Sequence, residues 1–345
     1  MSMIANNGKK VCFILSNGNI ITKIIKDEKT IWELEGDILL KFAVDVAKGT
    51  TLFMIDSSTE VIAEEDYKEG DYLYFSKGTF QPTRVRFVIS TTCRYDYYSE
   101  IRLLKGFDVS NITNMSQMFG GYFGSYSSNS ILKLIDVSNL DTRKVTNMSY
   151  MISYCLNLTS VDVSNFDTSN VKGMDGMFCL LKLPKLNVSN FDTSKVTSFV
   201  NTFYGLTVTE LDVSKFNTSN VTNMQYMFYN CSKLTSLDTS NFDTSKVTSF
   251  VKMFTACNRL SNLLFGPKWG TQTSTSTYAL TLDLSNLNSV NSYKLTDETY
   301  NSMLTMYDRA STGLTTMTIK FSTKHNLPDE FAEKMSALGY TITLV

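Results

Sequence analysis

Leu211–Lys233 reads LDVSKFNTSNVTNMQYMFYNCSK, and the chain repeats this stretch with small changes from about residue 107 to about residue 264. The core signature, Phe-(Asp/Asn)-Thr-Ser-(Asn/Lys)-Val-Thr, is anchored on a β-branched residue at Ile112, Val145, Val171, Val196, Val221 and Val247. Successive anchors are 33, 26, 25, 25 and 26 residues apart. A fixed period of this length marks a solenoid, in which one turn cannot bury its apolar side alone and must stack on its neighbours.

Reading outward from each anchor, the third residue on is Met115, Met148, Met174, Phe199, Met224 or Phe250, and the seventh is Phe119, Ile152, Phe178, Phe203, Phe228 or Phe254. The sixth is methionine in every repeat except the fourth, where it is Thr202. Apolar residues at these offsets and at the tenth position occupy one side of a short helical turn. They read as a core stripe rather than a thioether site, because methionine fills irregular interiors. The tenth column, Tyr122, Cys155, Leu181, Leu206, Cys231 and Cys257, alternates cysteine with other apolar residues. Cysteine there is expected to be a small buried hydrophobe, reduced and inert. Upstream, Val161–Ser164, Leu186–Ser189, Leu211–Ser214 and Leu237–Ser240 alternate apolar with polar, the pattern of strands with one buried face. Stacked turns would join them in a parallel ladder.

The 345 residues, 43% hydrophobic, suffice for a large core, and a net charge of −1 supplies no electrostatic footprint for nucleic acid or an anionic membrane. No apolar run is long enough to span a bilayer, and Val11–Leu15 is too short for a signal peptide. The six cysteines contain no C-x-x-C pair, so zinc and thioredoxin-like chemistry are not expected. One histidine, His325, stands beside Lys324 and Asn326 in an expected surface loop. The sequence gives no catalytic residues, no metal ligands and no cofactor motif, since neither a nucleophile–histidine pair nor a glycine-rich phosphate loop can be assembled. The recurrent aspartates are read as caps on turn backbone.

Residues 1–98 lack the repeat and read as short strands at 10–15, 20–25, 30–34, 38–44, 51–55, 72–75 and 85–90, with a hairpin signal at Asn17-Gly18-Asn19. After Pro267 the signature stops. A strand is expected at Leu280–Leu284, then a helix capped by Thr296 and a strand at Thr316–Phe321. A second helix opens on Pro328 and ends at Gly339, before a last strand from Tyr340 to Val345.

The repeat, as in 165–171 (NFDTSNV) and 220–231 (NVTNMQYMFYNC), resembles the BspA-type leucine-rich repeats of bacterial surface proteins and phage proteins, over residues 107 to about 265. The resemblance implies an α/β solenoid of BspA-like leucine-rich repeats with a parallel β ladder. A small all-β domain precedes it and a C-terminal strand-helix-strand cap closes it. The expected division is a mounting domain at 1–98, the solenoid at 99–266 and the cap at 267–345. The cap resembles the C-terminal regions that often follow such repeats in phage and gut-bacterial proteins. The stretch 17–33 resembles short Lys-Ile…Trp elements of phage tail-associated proteins.

Residues 120–130 (GGYFGSYSSNS), an insertion in the first repeat, mix aromatic anchors with Gly and Ser, a composition found in binding loops. Tyr122, Phe123 and Tyr126, with Tyr97 and Tyr98 nearby in sequence, are the expected contact residues; the alternative is a loop that covers the first turn. The expected function is a non-enzymatic phage virion component, tail or head fibre-like, that displays the solenoid for host-surface or glycan recognition. Its partners would be other virion proteins, through the N-terminal domain, and a host-surface glycan or protein. Nucleic acid and membrane insertion are not expected, and a homo-oligomer is compatible with the sequence. The alternative is a bacterial cell-surface adhesin or a fragment of one.

Overall fold

The computed structural model describes residues 99–103, 112–120, 132–276, 280–291 and 294–345 with their side chains, and between residues 3 and 98 the backbone of the strands. In that first part β1 (Met3–Asn6) pairs with β2 (Lys10–Phe13), and β3 (Lys23–Lys26) with β4 (Lys29–Glu33), both antiparallel. There follow β5 (Ile38–Phe42), β6 (Thr51–Ile55), β7 (Thr59–Ile62), β8 (Tyr72–Phe75) and β9 (Val85–Arg86). β1 and β7 lie outside the strands expected from sequence. The hairpin signal expected at Asn17-Gly18-Asn19 lies outside the described residues. β3 pairs with β4, with Lys26 opposite Lys29.

β10 (Tyr98–Leu103) joins the two parts of the chain. It runs antiparallel to β5 and parallel to β11 (Leu134–Asp136), in a four-stranded sheet of order β11-β10-β5-β8. Ile101, which is buried, pairs with Leu40 on one side and Ile135 on the other, so the strand column of the repeats continues through β10 to β5.

Through the repeats, one parallel column is continuous. Asn114, Asn147, Gly173, Ser198, Asn223 and Ser249, two residues after each anchor, bridge each to the next. A second column is interrupted. It runs from β10 through β11 to Ser160 and resumes at Glu210 with β12 (Ser236–Asp238) and β13 (Asn262–Leu264). The strands expected at Val161–Ser164, Leu186–Ser189 and Leu211–Ser214 are not formed. In this column Thr159 donates its amide to Lys133 and Thr235 to Thr209, but the equivalent residue before the fourth anchor is Pro184, which has no N–H to give.

The expected helical turn is also absent. From the third to the ninth residue after Val145, alternate amides of Met148, Tyr150, Ile152 and Tyr154 donate to Gly173, Asp175, Met177 and Cys179 of the next turn. Amides committed to a neighbouring turn cannot close i−4 bonds within their own. The apolar side is nonetheless the expected one: the anchors and the columns at offsets three, six, seven and ten are buried wherever described. Phe178, Phe203, Phe228 and Phe254 stack in one pile with centroids 5.9, 5.6 and 5.6 Å apart and rings within 8° of parallel. The described cysteines, Cys155, Cys179, Cys231 and Cys257, are free and buried.

Polar groups pin the turns together. The buried hydroxyls of Thr142, Thr168, Thr193, Thr218 and Thr244 each donate to a carbonyl of the following turn. The side-chain oxygens of Asp162, Asn187, Asp212 and Asp238 each accept the amide of a serine two residues on. Asp167, Asp192, Asn217 and Asp243 do the same at a second corner. These Asx turns are what the recurrent aspartates supply.

Trp269, which follows the last repeat, is fully buried. It stacks on Phe242 and Phe250 and donates from Nε1 to the carbonyl of Thr239 at 2.8 Å. Beyond it β14 (Thr281–Asp283), β15 (Met317–Phe321) and β16 (Tyr340–Leu344) form a parallel sheet. α1 (Asp297–Met303) is capped by Thr296, whose side chain accepts the amide of Thr299. α2 spans Phe331–Ala337 and does not open on Pro328. The carbonyl of Pro328 takes the Phe331 amide, and Glu330 sits at φ +59°, a left-handed residue through which a helix cannot run. His325 is buried, contrary to the expected surface position. Its Nδ1 accepts the Ser322 amide at 3.0 Å, and its Nε2 lies 3.2 Å from the Leu287 carbonyl, which makes Nε2 the protonated nitrogen. The buried Arg309 guanidinium holds the end of the stack by donating to the carbonyls of Gly270, Gln272 and Thr315.

Candidate binding surface

The backbone repeats an unusual conformation on one side of the stack. Gln117, Tyr150, Gly176, Asn201, Tyr226 and Lys252, each five residues after its anchor, all have φ between +53° and +59°. Tyr154, Leu180, Gly205, Asn230 and Ala256, each nine residues after, have φ between +56° and +67°. The cause is the bonding between turns. In the left-handed region these residues aim their amides at the next turn, as Tyr150 does to Asp175, Tyr226 to Val251 and Asn230 to Thr255. The region costs a residue with a side chain roughly 1–2 kcal/mol, and glycine or asparagine bears it most easily. Glycine and asparagine do appear in both columns, at Gly176, Asn201, Gly205 and Asn230, yet tyrosine holds positions 150, 154 and 226.

These tyrosines join Tyr204 and Tyr229 in a partly exposed stripe on the second, fourth and fifth turns, the third carrying Gly176, Cys179 and Leu180 there. The rings of Tyr204 and Tyr229 stack at 4.8 Å, and Tyr226 meets Tyr229 edge-on at 5.6 Å. The ammonium of Lys252 lies 6.0 Å from the centre of the Tyr226 ring. The Tyr150 ring lies over Gly176, where a β-carbon would come within 2.1 Å of it, and the Tyr150 hydroxyl is hydrogen-bonded to the Asn201 side chain. Burial, and then the neighbouring Cys179, Tyr150 and Tyr204, push the Tyr154 phenol far above its ordinary value. Burial pushes the Cys179 thiol up to about 12, so it is not a nucleophile at neutral pH.

Charge is nearly excluded here. Among the columns four, five, eight and nine residues after the anchors, the charged side chains are Asp175 and Lys252. Asp175 is turned to structural use. Its Oδ1 accepts the Ser198 hydroxyl at 2.6 Å and the Val200 amide at 2.9 Å, and burial raises its pKa. The charged groups stand at other corners, such as Arg143 paired with Asp141 at 2.7 Å and Lys195 and Lys246 bound to Asn170 and Asn220.

Of the contact residues expected from sequence, Tyr97, Tyr122, Phe123 and Tyr126 lie outside the described residues. Tyr98 begins β10, and its side chain lies outside them too. Gly120, the first residue of the insertion, is described, and a β-carbon on it would come within 1.9 Å of the Tyr150 backbone carbonyl. Sequence reading missed the stripe itself, though its signal was present: tyrosine recurs in the fifth, eighth and ninth columns, which the core pattern leaves unassigned.

A shallow groove of about 520 Å3 opens farther along, lined by Thr209, Thr235, Lys233, Arg259 and Val290 among others. Among the described residues no three His, Cys, Asp or Glu side chains are grouped to hold a metal ion, and no helix is long and apolar enough to cross a membrane.

The family model described as Mycoplasma protein of unknown function, DUF285, matches residues 95–187 and 181–297, more than half of the chain. The chain belongs to the DUF285 family. This is a domain associated with BspA-like surface repeat proteins. The first DUF285 match begins just before β10, and the second runs on through the Trp269 junction to α1. No curated protein and no solved structure matches.

Proposed function

We propose that the chain is a non-enzymatic recognition protein, in which an α/β solenoid of BspA-like leucine-rich repeats is carried by the N-terminal strands and presents a binding surface for a glycan or protein of another cell. The observation that carries this reading is the tyrosine stripe. Rigid aromatic side chains stand partly exposed on a charge-poor face of a stack whose polar groups are otherwise spent on holding turns together. Such side chains supply contact area at low entropic cost.

Two settings fit. In a phage virion the N-terminal strands would mount the chain on other virion proteins and the stack would face the host. On a bacterial cell surface the same stack would act as an adhesin, and the association of DUF285 with surface repeat proteins favours this second setting. Gene neighbourhood separates them: portal, capsid or tail genes beside this one support the virion, and sortase or secretion genes support the cell surface. Recognition itself is tested by presenting the labelled full chain to a glycan array and to a panel of intact bacterial and animal cells. Saturable binding displaced by unlabelled chain is the expected result, and absence of binding from every member overturns the reading.

A further inference from the structure

We propose that the stripe formed by Tyr150, Tyr154, Tyr204, Tyr226 and Tyr229 is a binding site for a neutral polysaccharide laid along the stack. The proposal rests on the recognition reading above and names its surface and its ligand class.

Three observations carry it. The first is the identity of the residues against their backbone. Tyr150, Tyr154 and Tyr226 occupy left-handed positions at φ +57°, +63° and +56°, while Asn201 and Asn230 fill equivalent positions in other turns at +59° and +56°. Glycine and asparagine bear that conformation most easily, and Gln117, Leu180, Lys252 and Ala256 also hold it, so the backbone does not itself call for a ring at these positions. The second is chemistry. The face combines aromatic rings and phenols with the amides of Gln225 and Asn230, and it nearly lacks charge. Ring faces suit the C–H faces of pyranose units, and amides and phenols both donate to and accept from hydroxyl groups. A charged polymer would leave its charges unanswered. The third is placement. The rings of Tyr204 and Tyr229, in successive turns, stack at 4.8 Å, and Tyr150 and Tyr154 stand two turns before Tyr204, the turn between them carrying no ring on this face. Rings set along the stack suit a linear polymer, which gains from avidity along it.

The test uses affinity electrophoresis of the full chain through native gels containing dextran, mannan, galactan or a mixed-linkage β-glucan, with heparin as the charged comparison. The variants are Tyr226→Asn, which installs the residue that Asn201 already shows to be at home in that conformation, and Tyr226→Phe. Melting temperature is measured on the same preparations. The expected result is retardation by at least one neutral polysaccharide and not by heparin, a loss of at least about tenfold in apparent affinity for Tyr226→Asn, retention of most affinity for Tyr226→Phe, and a melting temperature for Tyr226→Asn equal to or above the parent's. Retardation unaltered in Tyr226→Asn overturns the proposal, as does a fall in its melting temperature with binding per folded molecule retained. Retardation by heparin alone, or by none of the polymers, also overturns it. If cell attachment persists in that last case, recognition stands and the stripe as a polysaccharide site falls. If attachment is absent as well, both fall.

Discussion

The hydroxyl of Thr218 donates to the carbonyl oxygen of Asp243 at 2.9 Å and accepts the amide of the same residue at 2.7 Å. One buried side chain thus satisfies both backbone groups of a residue in the next turn. Thr193 does the same for Asn217, and Thr142 for Asp167. Thr218→Val keeps the shape and removes both bonds. It should cost about 1–3 kcal/mol by chemical denaturation, the range for stranding partly buried backbone groups, whereas Thr218→Ser should cost less. Equal stability in the valine variant would remove this column from the forces that hold the turns.

The repeat columns were legible because burial at the anchor and at the third, sixth, seventh and tenth positions leaves a periodic apolar pattern whichever backbone carries it. That same indifference hid the backbone. Met224, Met227 and Phe228 would share a face in a helix, and they share one here with Tyr226 left-handed between them. Bonds between turns 25 residues apart leave no local signature, so the absence of a helix could not be read. Pro184 could have been, because a proline in a donor column breaks the ladder on its own. His325 misled for a different reason. Its polar neighbours Lys324 and Asn326 are exposed, and the ring is drawn inside by partners at Ser322 and Leu287.

Replacing Pro184 by threonine, the residue at positions 159, 209 and 235, restores a donor to the interrupted column. The new amide at position 184 should be protected in hydrogen exchange, as the amide of Thr159 is expected to be through its bond to Lys133. Exchange at the unprotected rate would show that something besides the missing N–H breaks the ladder.

The Asx turns set the acid limb of stability. The serine hydroxyl and then the serine amide hold the carboxylates of Asp162, Asp167 and Asp212 below their ordinary 3.8. The Arg143 side chain, and then its amide, bring Asp141 to about 2. Folded values below unfolded ones give stability that is complete above pH ~4 and lost as the pH falls through the folded values. Asn187 and Asn217 already serve at equivalent corners without titrating. The triple variant Asp162→Asn, Asp167→Asn, Asp212→Asn should therefore unfold at a lower pH than the parent and melt within a few degrees of it at pH ~7. An unchanged acid midpoint would contradict this.

His325 gives a second, higher limb. Burial lowers its pKa from 6.5, with the bond to the Leu287 carbonyl opposing the shift. The neutral ring is the folded form, so its contribution is complete above pH ~6.5 and declines as the pH drops and the unfolded chain takes up the proton. Melting temperature should fall between about pH 7.5 and about pH 5.5. His325→Asn should be less stable at the upper end and show a shallower slope. An identical slope in the variant would assign the effect to other groups.

Attachment per folded molecule, compared between the parent chain and Tyr204→Ser/Tyr229→Ser on intact cells that bind the parent, tests most directly the claim that the stack holds the fold while the stripe meets the target. These two rings stack on each other at 4.8 Å on the surface and belong to no buried pile. The double variant should melt within a few degrees of the parent and lose at least about tenfold in attachment, the loss of two aromatic hot-spot residues. Attachment that is retained, or that falls only in proportion to the folded fraction, would contradict it.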